Sequence, residues 1–155
     1  MSIERTDCTP NPNTFTKALA GAWRAVYSEA DGRMSPVEDF AGLTHRFEEN
    51  AFSVDGGVGR HAGTFSLDTS KSPIEVIYIY KESDGPFLGA PRRGLIQLEG
   101  DTLKLCMGPI GHDSPTDFNT KPGSQTVLTV FQRLDSHDSL IVNAAALNRL
   151  TISQW

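Results

Sequence analysis

KALAGAWRAVY, residues 17–27, marks the point where the pattern of the chain changes. Just upstream, TFTKALAG (14–21) reads as one or two helical turns that stop at Gly21. From Trp23 onward the apolar period shortens to two, which makes 22–28 a strand. The same short period returns in 43–50, 51–55, 60–67, 74–81, 93–98, 102–107 and 126–134. Between these runs lie turn signals such as Asp31-Gly32, Glu49-Asn50, Asp84-Gly85 and Glu99-Gly100-Asp101. Short strands joined by tight turns predict an all-β, antiparallel meander of about eight strands rather than βαβ crossovers.

Beyond the strands the chain changes character twice. Residues 1–13 are polar, carry Pro10 and Pro12, and read as a flexible leader to a single domain over 14–155. In DSLIVNAAALNRL (138–150), Leu140, Ile141, Ala144, Leu147 and Leu150 recur at near-helical spacing, with Asp138 placed to cap the first turn. This predicts a helix packed outside the β-structure, although the pair Ile141-Val142 leaves a strand open. Trp155, after that apolar stripe, offers either an anchor for the tail or a homodimer contact.

Composition narrows the partners. A chain of 155 residues with 38% hydrophobic side chains can bury a core without disulfide staples. The net charge of −5 and the scatter of its basic residues argue against nucleic acid, whose phosphates attract clustered Lys and Arg. No apolar run approaches the roughly 20 residues of a membrane-spanning helix. The amino terminus lacks the apolar stretch of a secretory signal, so a cytoplasmic location and reduced thiols at Cys8 and Cys106 are expected.

Four ordered motifs carry a resemblance. LAGAW (19–23), GTFSLDTSKSP (63–73), DTLKLC (101–106) and PTDFNTKPGS (115–124) resemble an uncharacterised lipocalin-like bacterial domain family. Its pattern runs L-x-G-x-W, G-x-F-x-L-D, D-x-L-x-L-C, P-T-x-F and K-P-G-S, and the match spans 19 to about 134. The resemblance implies an antiparallel lipocalin-like barrel, with Gly21 and Trp23 packed near its closed end and Arg133 lying across the indole. It brings no established activity, and the tail after Leu134 has no counterpart in the pattern.

Alternation then predicts which side chains face inward. His45 shares a face with Leu43 and Phe47, opposite Arg46 and Glu48; His61 shares one with Gly63, Phe65 and Leu67. Glu75 and Lys81 mark an outer face and leave Ile74, Val76, Tyr78 and Tyr80 inside. Leu103, Leu105 and Met107 oppose Lys104, which sends Cys106 outward, and Arg92 reaches the mouth. An apolar, aromatic interior with a few polar tips is the make-up of a small-molecule site. The expected ligand-binding set is therefore His45, Phe47, His61, Phe65, Tyr78, Tyr80, Arg92 and Met107, around a small hydrophobic or aromatic metabolite. Two alternatives stand beside it. One is a cofactor-free cyclase or isomerase in which His45, His61 or Tyr78 moves a proton; the other is a structural module with a solid barrel and no ligand.

Other constellations fail on geometry. GVGRHA (57–62) satisfies G-x-G-x-x-A, but a strand follows where a dinucleotide site needs a helix. DSHDS (135–139) sets serine, histidine and aspartate side by side, whereas a catalytic triad must converge in space. No cofactor is implied. His45 and His61 lack an evident third ligand, so no metal site is expected.

Overall fold

The computed structural model describes residues 12–56, 59–83, 88 and 90–134. Helix α1 (Pro12–Leu19) leads into β1 (Gly21–Ala30), then the two-residue β2 (Arg33–Met34) and the single turn α2 (Val37–Phe40). The rest is β3 (Thr44–Glu48), β4 (Ala51–Asp55), β5 (His61–Asp68), β6 (Ile74–Ser83), β7 (Pro91–Glu99), β8 (Thr102–Met107) and β9 (Val127–Leu134). β1 pairs antiparallel with β2 and β3, each strand from β3 onward pairs antiparallel with the next, and β9 returns to pair with β1 from Ala22↔Leu134 to Ala30↔Val127. The eight long strands thus form a closed barrel, with β2 appended to the end of β1. Closure leaves none of the eight with an unpaired edge.

The helix begins at Pro12, two residues inside the stretch expected to be leader. Proline is at home in a first helical turn, because its missing N–H would have no intrahelical partner there. Residues 1–11, the DSHDS motif, the helix expected over 138–150 and Trp155 lie outside the described residues.

Period-2 burial builds the core. Trp23, Ala25, Phe47, Phe52, Phe65, Val76, Tyr78, Tyr80, Ile96, Leu103, Leu105, Met107 and Phe131 form one buried cluster, joined by Leu19 from α1. Where the alternation slips, there is a bulge: the β1–β9 register shifts between Ala25 and Tyr27, and Val26 is turned out. A second slip on β5–β6 falls between Ala62 and Gly63, where a Cβ on Gly63 would collide with the Ile79 carbonyl.

The two ends of the barrel differ. At one end the connections are short: 49–50, 69–73 and 100–101, with α1 alongside. At the other end lie the long connections 31–43 and 108–126, and there β4 gives way to β5 and β6 to β7. The 108–126 connection starts at the mouth, where Ile110 packs against the core, and then runs down the outer wall. There Phe118 covers a second small cluster of Leu95, Cys106 and Leu128. Ser114 Oγ donates to Glu75 at 2.5 Å and Thr120 Oγ1 to Glu29 at 2.7 Å. Glu75 does face outward as its parity predicts, but this loop leaves it only 6% exposed.

Candidate functional site

The closed end is built from the helix–strand junction. Trp23 Nε1 donates to the Leu19 carbonyl at 2.9 Å, so the indole is tied to the last turn of α1. Arg133 sits over the same indole, its guanidinium carbon 4.3 Å from the ring centroid. Its Nη2 donates to the Ala18 carbonyl at 2.6 Å and its Nη1 to the Ala20 carbonyl at 3.2 Å. Three carbonyls left without helical partners are thereby satisfied by two side chains. Gly21, between them, has φ +117°, a conformation that a side chain makes costly. Gly21, Trp23 and Arg133 act together as a plug.

Toward the other end, polar groups enter the aromatic interior. His61 is first in β5, Arg92 second in β7 and Met107 last in β8, at the strand ends of that side, whereas His45, the register partner of Trp23, lies deeper. His45 Nε2 and Tyr78 Oη share a hydrogen bond of 2.7 Å deep in the barrel. Phe47 stacks on the imidazole at 4.3 Å, and Phe52, Tyr78 and Phe131 present their rings at 5.6 to 5.8 Å. Phe65 meets Phe47 edge-on at 5.2 Å. Nearer the mouth, His61 Nδ1 and Ser83 Oγ share a bond of 2.7 Å, and the His61 ring stands edge-on to Tyr80. Arg92 Nη1 donates to Tyr80 Oη at 3.3 Å and its Nε to the Gly108 carbonyl at 2.8 Å. Met107 lies over Gly94, where a Cβ would collide with its sulfur.

All eight residues expected to line the interior therefore belong to one connected wall, with Arg92 half-buried and the others buried. The two imidazoles have different partners, Tyr78 for one and Ser83 for the other. Three further residues belong to the wall: Phe52, stacked on Tyr78 at 4.1 Å, Phe131 and Ser83. The Glu49-Asn50 turn signal could have found Phe52, because a two-residue hairpin there sets Phe52 opposite Phe47.

Burial governs the ionisation of the deep pair. Loss of water pushes the His45 pKa down to about 3, weakly opposed by the nearby Arg46 main chain. That main chain lies near Nδ1 but outside hydrogen-bond geometry, so the atom has no well-formed partner among the described residues. Tyr78 is raised well above 10, first by burial and then by Tyr80, against a small opposing effect of Arg92. Both groups are neutral at neutral pH. A ring that takes a proton only near 3 is a poor base for a substrate proton, so the pair suits hydrogen bonding better than proton removal.

Three open hollows, of about 590, 550 and 530 Å³, lie around the α1 end of the barrel. One runs between α1 and the β3–β4 turn, past Lys17 and Glu49, to Phe65. Among the described residues, no three His, Cys, Asp or Glu side chains converge as metal ligands would. Cys106 is fully buried on the outer side of β8, and burial, with Asp117 and Glu29, pushes its thiol up to about 12.

No family model, curated protein or solved structure matches this chain.

Proposed function

We propose that this is a lipocalin-like carrier or receptor of one small, flat, largely hydrophobic or aromatic molecule, held inside the barrel and admitted through the end that bears the long loops. One observation carries the reading: the plug of Trp23, Arg133 and α1 occupies one end, while His61, Ser83, Arg92 and Met107 gather at the other. A barrel with a sealed floor and a polar-rimmed, loop-lined mouth has the general design of a calyx.

The aromatic wall supplies affinity through burial, and the polar tips fix orientation. The rings now in contact must part to admit a guest, and Met107, unbranched and flexible, is suited to give way. Hydrogen bonding by a neutral His45–Tyr78 pair supports a binder over a cyclase or isomerase. Titration with flavin-sized and polyketide-like aromatics, followed by Trp and Tyr fluorescence, tests the reading. Saturable quenching is expected; no quenching, together with a barrel whose inner side chains never part, would make it a solid structural module.

A further inference from the structure

His45 and Tyr78 hold one hydrogen more than they can use. A neutral imidazole carries one N–H and a phenol carries one O–H. The pair makes a single hydrogen bond, Nε2 to Oη at 2.7 Å, which uses one of the two. If the phenol donates to Nε2, the spare hydrogen sits on Nδ1. If Nε2 donates to the phenol, the spare one is the phenolic hydrogen, and Nδ1 is then a bare lone pair. In either tautomer a donor is left over, and Nδ1 has no partner although His45 is only 2% exposed.

A buried polar atom without a partner is uncommon, because water lost on folding is not replaced. The surroundings supply no well-aligned acceptor: the rings touching the imidazole belong to Phe47, Phe52, Phe131 and Tyr78 itself, and the Arg46 main chain, though near, does not reach hydrogen-bond geometry with Nδ1. None of these four carries a carboxylate to pair with a cationic guest, and a cation held on their faces would leave the spare hydrogen without an acceptor.

We propose that the His45–Tyr78 pair donates its spare hydrogen to an acceptor on the bound molecule, which is therefore a neutral aromatic ketone, quinone or aza-arene rather than a plain hydrocarbon or an amine. This inference rests on the reading of the barrel interior as the binding site. It adds the chemical class: flat, uncharged, with a carbonyl oxygen or ring nitrogen that reaches the depth of β3 and β6. A wall that holds a donor with no acceptor discriminates for the group that satisfies it, since binding a guest without one keeps that donor unpaired.

The test compares two probes of one shape, 9-fluorenone and fluorene, which differ by a carbonyl against a methylene. Binding of each to the full chain is followed by quenching of Trp and Tyr fluorescence. The carbonyl stretch of bound fluorenone and the ¹⁵N shift of His45 Nδ1 serve as direct readouts. The ketone is expected to bind about tenfold or more tighter, with its carbonyl stretch lowered and the His45 resonance moved. In the double variant His45→Phe, Tyr78→Phe, the two affinities should become equal. Equal affinities in the wild type, with no change in the carbonyl stretch, would overturn the inference while leaving a ligand-binding barrel in place. Failure of both probes to bind would overturn the barrel reading itself. Should the double variant not fold, the infrared and nitrogen shifts in the wild type decide alone; an ordered water found on Nδ1 in both the free and the fluorenone-bound protein would also overturn it.

Discussion

Arg133 covers Trp23 from across the β1–β9 seam, the two residues being direct partners in the pairing that closes the barrel. The guanidinium gains from the indole face, and its three remaining contacts reach Ala18, Ala20 and Asp101. The Asp101 pair is largely exposed and adds little. Replacing Arg133 with Ala should therefore cost about 1–3 kcal/mol, from the lost cation–π contact and the uncapped helix end. Urea denaturation followed by Trp fluorescence measures it, and Asp101→Ala, as the control, should change stability by under about 1 kcal/mol.

Acid should weaken the fold through His45. The unfolded ring takes its proton near the ordinary 6.5, whereas the folded ring resists until about 3. Between those values the unfolded state holds the extra proton, so stability is complete above pH 6.5 and falls as pH drops toward 3. The contribution approaches about a tenfold loss in the folding constant per pH unit. Subtracting the denaturation curves of His45→Gln from those of the wild type should isolate this slope; parallel curves would contradict it.

Glu75 holds the long β8–β9 connection to the wall. Ser114 lowers its pKa most, with Lys71 and Arg93 assisting and burial opposing. A carboxylate held below its ordinary 4.5 stabilises the fold above that pH, and the stabilisation is lost as pH falls through the lowered value. At neutral pH, Glu75→Gln and Ser114→Ala should each destabilise the protein by about 1–3 kcal/mol. The double variant should cost less than the sum of the two, because they share one hydrogen bond.

Cys106 should be inert in the folded state. Its thiol is buried under Phe118 and pushed up to about 12, so almost no thiolate forms at neutral pH. In a Cys8→Ser background, an aromatic disulfide reagent should react with Cys106 only as fast as the protein opens. Reaction at the rate of a free thiol would show that the 108–126 connection does not cover it.

Alternation made the inner wall legible in the sequence, since a strand with one wet face must place its apolar residues on the other. Leu43-His45-Phe47 and Leu103-Leu105-Met107 show this clearly, being flanked by Arg46, Glu48 and Lys104. The outer wall was less legible. Glu75 and Cys106 were correctly turned outward, but what covers them comes from residues 108–126, a stretch without periodicity. Pairing was harder still: that His45 bonds Tyr78 and His61 bonds Ser83 depends on how strands β3 to β6 wrap around the axis, and parity within one strand carries no such information. The Arg133–Trp23 contact was implied by resemblance alone; no spacing in the chain announces it.

Chemical-shift mapping with a flat aromatic ketone distinguishes binding inside the barrel from binding on its surface. Labelled Met methyls, Tyr rings and imidazole nitrogens report on the inner wall, and the amides of Lys17 and Glu49 report on the hollow beside α1. Saturable shifts are expected at Met107, Tyr78, Tyr80 and His45, with Lys17 and Glu49 unmoved. Shifts confined to Lys17 and Glu49, or none at the inner rings, would contradict binding inside the barrel.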